Sequence, residues 1–330
     1  MIDTRYDVLG IGNAIVDVLS AAKESFLQQE GLSKGAMTLI DADRAESLYA
    51  GMGPGHEISG GSAANTMVGV AQLGGQAAFV GKVRDDQLGA IFRHDLTAAG
   101  VTFVTPDAQR GPPTARSLIL VTPDAQRTMN TYLGACVHIG PEDVDEEVVS
   151  RAKVTYLEGY LWDMPPAKEA FLRAARIAHT ADQEVALTLS DAFCVDRHRD
   201  SFLELVERHI DILFANEQEL LSLYQVQRFD EALQHVRGHC RIAALTRSEK
   251  GAVILSGNEV HVVDAEPVRE VVDTTGAGDL FAAGFLYGHT QGWALERCGR
   301  LGAVAASEII SHYGARPEAN LAALAKARLG

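Results

Sequence analysis

No stretch of this chain approaches the ~18 consecutive apolar residues that a membrane-spanning helix requires, so a soluble protein is expected. The opening residues, Met1-Ile2-Asp3-Thr4-Arg5-Tyr6-Asp7, lack the charged start and apolar stretch of a secretory signal, so a cytoplasmic location is expected. Positive charge is scarce: 29 Lys and Arg face 44 Asp and Glu, a formal net charge of −15. That balance argues against nucleic acid or an anionic membrane as a partner, because both are bound through basic patches. An anionic ligand would have to be held by local amides, a few Arg or Lys residues and a metal. Cysteine is sparse, with Cys136, Cys194, Cys240 and Cys298 scattered outside any CxxC or metal-ligand spacing, so they read as reduced thiols rather than a disulfide framework or a zinc site. No linker rich in Pro, Gly or Ser divides the 330 residues, and 47% hydrophobic residues suffice for a sizeable core. We therefore read residues 1–330 as one α/β unit.

What is present centres on Asp273-Thr274-Thr275-Gly276-Ala277-Gly278-Asp279, followed by the apolar run Leu280 to Leu286. Gly276 and Gly278 let the backbone turn sharply and aim successive N–H groups one way. The 3.6-residue period that follows makes those amides the first turn of a helix. Helix N-termini attract phosphate. A carboxylate at Asp279 contradicts a plain anion site, unless it acts on the group about to receive the phosphate. The stretch thus points to phosphoryl transfer, with the carboxyl expected to have a low pKa at its helix N-terminus.

Earlier segments supply candidates for the acceptor side. Tyr6 to Gly12 reads as a short apolar strand, with Asn13 and Asp17 just beyond its end, where open parallel sheets bind ligands. A dinucleotide fingerprint would need glycine where Ile15 stands, so a dehydrogenase is excluded. Asn13 is equally readable as an Asx turn serving its own backbone. Gly60-Gly61-Ser62-Ala63-Ala64-Asn65 is a diglycine turn running into a helix of small residues, suited to close approach by a ligand or by another helix. Gly75 to Val83 fails as a P-loop, since it has one residue too many and Val83 where Ser or Thr is needed. The hexapeptide Thr-Pro-Asp-Ala-Gln-Arg occurs at Thr105–Arg110 and Thr122–Arg127, and the second copy reads as the tip of a β-hairpin with Arg127 free to meet a phosphate or solvent.

From Glu142 the chain alternates strands and amphipathic helices, the pattern of a doubly wound, mostly parallel sheet. Gly251 to Val263 reads as a hairpin at its edge, and two helices, Gly276–Gln291 and Leu295–Ser311, are expected to close the chain. Asn216-Glu217-Gln218-Glu219 places an amide and two carboxylates at a helix start, suited to the helix dipole and to a magnesium shell, directly or through water. Thr246 to Gly251 is a polar loop after another strand, compatible with a nucleotide or a plain turn.

Together these stretches resemble the ribokinase (PfkB) family of small-molecule kinases along nearly the whole chain. The resemblance rests on Asp273–Asp279 with the helix that follows, on Gly60–Asn65 leading to a strand ending at Gly81, and on Asn216-x-x-Glu219. Within the family the chain is most similar to adenosine kinases, through Gly12-Asn13-Ala14-Ile15-Val16-Asp17, Leu189–Phe193 and Asp211–Glu217. It departs at Arg84 and Ser248, where relatives carry glycine, and at Leu161, where an aromatic is usual. The resemblance implies a ribokinase-like three-layer α/β/α fold with a small β lid formed by excursions at about 13–40 and 103–135. It implies transfer of phosphate from ATP, with Mg²⁺, to the 5′-hydroxyl of a nucleoside, adenosine first, or alternatively to a sugar or another nucleoside, in a monomer or homodimer. Asp279 would be the base, the Gly276, Ala277 and Gly278 amides the anion hole, and Arg127 the lid arginine. Asn13, Asp17, Gly60, Gly61, Ser62 and Asn65 would hold the ribose, and Met129, Thr131, Leu133, Leu161 and Phe193 would complete the acceptor pocket. ATP would lie against Asn216, Thr246, Ser248, Gly251, Thr275, Gly276 and Gly278, with magnesium near Asn216 and Glu219. Asp273 and Thr275 would hold a monovalent cation, K⁺.

Overall fold

The computed structural model describes residues 4–124 and 126–330; residues 1–3 and Ala125, which falls within the hairpin tip expected at Thr122–Arg127, lie outside the described residues. In chain order the strands are β1 (Tyr6–Ile11), β2 (Ile15–Ala21), β3 (Met37–Leu39), β4 (Gly55–Gly60), β5 (Ala77–Val80), β6 (Val101–Phe103) and β7 (Ala115–Val121). There follow β8 (Arg127–Tyr132), β9 (Ala152–Glu158), β10 (Glu184–Thr188), β11 (Ile212–Asn216), β12 (Ile242–Thr246), β13 (Ala252–Ser256) and β14 (Glu259–Val263). Nine of them form one sheet, ordered β14-β13-β12-β11-β10-β9-β1-β5-β6. It is parallel from β12 to β6, and the β13–β14 hairpin adds two antiparallel strands at one edge.

Alternation along these strands builds a core on each face, as a sheet covered by helices on both sides demands. Val8, Phe79, Tyr156 and Phe214 point to one side and pack with Met67, Phe281 and Phe285. Their neighbours Leu9, Ala78, Leu157 and Leu213 point to the other and pack with Phe171 and Phe202. The expected three-layer, mostly parallel architecture is the observed one. Helix ends follow side-chain chemistry: Asp41 accepts a hydrogen bond from the Arg44 N–H, and Asp86 from the Gly89 N–H, at 2.8 and 2.9 Å, which satisfies otherwise orphaned donors.

A second, five-stranded sheet has the order β3-β8-β7-β2-β4. Its strands come from 15–39 and 115–132, inside the expected excursions, and also from 55–60, which lie outside them. Along β2 the burial alternates strictly. Val16 and Val18 are buried with Leu27 and Leu48 of the covering helices, while Ile15, Asp17 and Leu19 face the cleft between the two sheets. Registry carries the pattern across, with Asp17 beside Ser117 and Ile58, and Leu19 beside Ile119.

Two helices meet beneath the cleft. Helix Ser62–Gln72 packs on helix Ala277–Thr290 where Gly69 lies against Ala283; a Cβ at Gly69 would stand 2.6 Å from that methyl. Helix Leu295–Ile309 crosses behind them, and the chain ends not there but in a further helix, Leu321–Leu329.

Candidate active site

The cleft between the C-terminal ends of the main strands and the small sheet has a volume of about 1660 Å³. That exceeds the roughly 300–1,000 Å³ typical of a single small-molecule pocket. Asp279 sits at its floor in the first turn of helix Ala277–Thr290, whose N-cap is Gly276 at φ 81°. The left-handed cap and the closeness of Ala315, 2.9 Å from where a Cβ would be, both require glycine at 276. A Cβ on Gly278 would meet nothing within 4 Å, so that part of the loop is open to the cleft, whereas the Ala277 N–H donates to the Thr274 carbonyl at 3.2 Å and, contrary to expectation, is not free to join an anion hole.

Ser62 Oγ donates to Asp279 Oδ1 at 2.5 Å and Asn65 Nδ2 to Oδ2 at 2.9 Å. The diglycine helix therefore serves the carboxylate as well as the acceptor side, and Asn65 Oδ1 is left without a partner. Contrary to expectation, the Asp279 carboxyl is shifted upward: loss of water at the cleft floor outweighs the Ser62 and Asn65 hydrogen bonds and the Arg316 charge. A carboxyl so shifted is a stronger base than a free aspartate.

The expected acceptor-side residues converge on the same floor. Burial pushes the Asp17 carboxyl up to about 6, against the lowering effect of Arg316 and Arg127. A Cβ at Gly60 would lie 2.5 Å from Asp17 Oδ2, and one at Gly61, at φ 96°, would lie 2.2 Å from the Asn13 carbonyl oxygen. Asn13 is not in an Asx turn; Nδ2 donates to Glu158 Oε1 at 2.7 Å, and its buried Oδ1 has no partner. Met129, Thr131 and Leu133 line the wall of the small sheet, and Phe193 stands at the rim, 77% exposed.

Leu161 does not reach the cleft. It is 1% exposed and packs in the core with Trp162, while the preceding Tyr160 forms the wall. The short 3₁₀ turn Gly159–Asp163 places adjacent side chains on different sides, so the one-residue offset moves the aromatic to position 160.

On the donor side, Thr246, Ser248, Gly251 and Thr275 line the cleft beside Asn216. Ser248 adopts φ 51°, the left-handed conformation that glycine takes without cost. Asn216 and Glu219 form a capping box: Glu219 accepts from the Asn216 N–H at 2.9 Å and from Nδ2 at 2.6 Å, and Asn216 Oδ1 accepts from the Glu219 N–H at 2.9 Å. Burial pushes the Glu219 carboxyl up to about 7. With both carboxylate oxygens engaged, the pair fits magnesium held through water, which that ion retains readily, rather than bound directly. No group of three or more His, Cys, Asp or Glu among the described residues is arranged to hold a metal by itself.

Asp273 is more fully committed. Oδ1 accepts from Thr275 N and Oγ1 at 3.1 and 2.7 Å, while Oδ2 accepts from Gly314 N at 3.0 Å and pairs with Arg127 Nη1 at 2.8 Å. A guanidinium already supplies positive charge there, so these residues do not fit the expected K⁺. Arg127 also faces the Tyr313 ring, 5.3 Å from its centroid, and is thus docked across the cleft rather than solvated.

Among the cleft residues not anticipated are Glu158 and Arg316. Glu158 ends β9; it is 1% exposed, accepts from Asn13 and from the Ala63 N–H at 2.8 Å, and burial pushes its carboxyl up to about 7. Arg316 enters from the segment before the last helix. The position of Glu158 at the carboxyl end of a parallel strand was the available signal for it; Arg316 carried none.

Residues 38–321 match the pfkB family of carbohydrate kinases. The chain is 26% identical over 266 residues to a 5-dehydro-2-deoxygluconokinase of Geobacillus thermodenitrificans, covering 77% of this chain and 79% of that one. A crystal structure described as a probable sugar kinase from Rhizobium etli superposes with a TM-score of 0.91 at 59% identity, covering 98% of each chain. The adenosine kinase from Sinorhizobium meliloti superposes with a TM-score of 0.90 at 57% identity, covering 98% and 99%. Family match, fold and full-length likeness agree: the chain belongs to the pfkB family, phosphotransferases acting on a hydroxyl of a sugar or nucleoside.

Proposed function

We propose that this protein transfers the γ-phosphoryl group of ATP to the 5′-hydroxyl of a nucleoside, adenosine first. The observation that carries the nucleoside reading is the chemistry of the upper cleft. Met37, Leu39 and Ile58 of the small sheet are 53%, 59% and 40% exposed and, with Met129 and the Phe193 ring, present an apolar and aromatic surface above the polar floor. A nucleobase has flat faces to cover such a surface; a free sugar has none. The 57% identity to an adenosine kinase supports the same reading.

Asn13 Oδ1 and the Asp17 carboxylate are the acceptors available to ribose hydroxyls, and Asp17 performs this role when ionised. Asp279, steadied by Ser62 and Asn65, takes the proton of the attacking hydroxyl; in a loose transition state that proton leaves late, so orientation counts for more than basicity. The Gly276 and Gly278 amides face the phosphoryl oxygens, a contribution of about 3 kcal/mol per donor, while that of Ala277 is tied to the Thr274 carbonyl. Arg127 exchanges Asp273 for the transferred phosphate as the small sheet, acting as a lid on one catalytic unit, settles on its ligand. Asn216 and Glu219 would hold magnesium through water, and the ion would supply positive charge against the phosphates.

A sugar acceptor is the second reading, favoured by the 5-dehydro-2-deoxygluconokinase relatives and the probable sugar kinase. Coupled ADP release with adenosine, inosine, cytidine, ribose and fructose separates the two. Turnover with adenosine and none with free sugars is expected; the reverse order rejects the nucleoside.

A further inference from the structure

One cation stands where three parts of the cleft meet. Arg316 Nε and Nη2 donate to the Ser59 carbonyl at 3.0 and 2.8 Å, Nη2 also to Ser59 Oγ at 3.0 Å, and Nη1 to the Ala64 carbonyl at 3.0 Å. The fork therefore brackets the Gly60–Gly61 turn, gripping the last stretch of β4 on one side and the first turn of helix Ser62–Gln72 on the other. Ser59 is held from its other edge too, its N–H donating to Asp95 Oδ2 at 2.9 Å.

The segment bearing Arg316 is itself fixed. Glu308 Oε1 accepts from the N–H groups of Glu318 and Ala319 at 2.9 and 2.7 Å, Asp273 Oδ2 accepts from that of Gly314, and Ala315 fills the space beside Gly276. Its guanidinium charge acts on Asp17, Asp279 and Asp95. Other charged and titratable groups around the two cleft carboxyls are Arg127 of β8 on the Asp17 side, and Glu158 and Tyr156 of β9 with Tyr160 on the Asp279 side.

We propose that Arg316 is a positioning residue of the phosphoryl transfer: it holds the Gly60–Gly61 turn at the depth the acceptor needs and is the shared counter-charge of Asp17 and Asp279. Only a planar fork with several fixed donors spans both carbonyls; the ammonium of lysine matches the charge and not the geometry. The inference rests on the roles given above to Asp17 and Asp279.

Full-length Arg316→Lys and Arg316→Met test it, with kcat, KM for both substrates, the pH profile of kcat/KM, circular dichroism and Tm as readouts. The acceptor is whichever of the five compounds the wild-type protein turns over, so failure with adenosine bears on the acceptor and not on Arg316. Arg316→Lys is expected to raise acceptor KM about tenfold, the effect of one or two lost hydrogen bonds, with ATP KM and the acid limb of the profile unchanged. Arg316→Met should do the same and also move the acid limb to higher pH, because two carboxyls lose the cation that favours their ionised forms. A folded Arg316→Met protein with wild-type acceptor KM and acid limb overturns the proposal, even if its Tm is lower. Should that variant not fold, Arg316→Lys decides: a change in acceptor KM below twofold overturns the positioning role. Near-normal turnover in Asp279→Asn rejects the base assignment separately.

Discussion

Replacing Glu158 by glutamine should raise stability at high pH and lower it at low pH. The wild-type carboxyl is 1% exposed, and burial pushes it from 4.5 up to about 7. A raised folded-state pKa means that the folded protein holds the proton more tightly than the unfolded chain. The group's stabilising contribution is therefore complete below pH 4.5 and is lost as the pH rises through 7. Above that, keeping the charge buried costs about 3 kcal/mol, at 1.36 kcal/mol per pKa unit. Glutamine never bears that charge. Its amide does carry two donors into a site where Asn13 Nδ2 and the Ala63 N–H, at 2.7 and 2.8 Å, both need acceptors, so one is left unpaired at a cost of about 1 kcal/mol. The net expectation for Glu158→Gln is a gain of about 2 kcal/mol at pH 8.5 and a loss of about 1 kcal/mol at pH 4, the two proteins drawing level near pH 5. For a chain of this length the average unfolding entropy translates these into roughly +3 °C and −1.5 °C in Tm. Thermal unfolding of both proteins from pH 4 to 8.5 shows whether the two curves cross. Parallel curves would refute the reasoning, because they would mean that Glu158 is not protonated in the folded state across this range.

Asp279→Asn should lower kcat by about 10²- to 10⁴-fold while KM for both substrates stays within a few-fold, since it removes the proton acceptor and keeps the shape; steady-state ADP release measures both. Asp17→Ala should instead raise acceptor KM by about tenfold or more with a smaller change in kcat, the mark of lost binding; an unchanged KM misplaces the ribose site. Phe193→Ala should raise KM for adenosine about tenfold through lost stacking and leave Tm unmoved, because the ring is 77% exposed. Gly61→Ala should destabilise by roughly 3 kcal/mol or more, since its φ of 96° suits glycine and its methyl would lie 2.2 Å from the Asn13 carbonyl; denaturant unfolding gives the value.

The parts of the site that could be read from the chain are those in which neighbours in sequence are also neighbours in chemistry. Asp273 to Asp279 announces its turn and its carboxylate through two glycines and an acid within seven residues, and Asn216 with Glu219 has the spacing of a capping box. Parallel strands announce themselves by apolar runs, as in β1, β9 and β11. What stayed hidden depends on long-range packing. Arg316 acquires its role from Ser59 and Ala64, Glu158 from Asn13 and Ala63, and no local pattern marks such pairs. The upward shift of Asp279 is the same lesson in electrostatics: the helix terminus is visible in sequence, whereas the removal of water that outweighs it is a property of the closed floor. Strand β4, Gly-His-Glu-Ile-Ser-Gly, is too polar and too rich in glycine to look like a strand, and it forms because β2 offers it an edge. The segment Leu321 to Leu329 lacks a pronounced apolar stripe, which is why a helix there escaped notice.

The contact between Gly69 and Ala283 lies one helical turn below the hydrogen bond between Asn65 and Asp279, since each residue is four positions along its own helix. The separation of the two helices, and with it the position of the carboxylate relative to the diglycine turn, is thus gauged by a hydrogen atom where any other residue would place a carbon. Tolerance to substitution should follow the same geometry. A methyl group added at Gly69 touches no ligand, yet it acts as a shim inserted directly beneath the reacting groups, and its effect should appear in turnover before it appears in the fold.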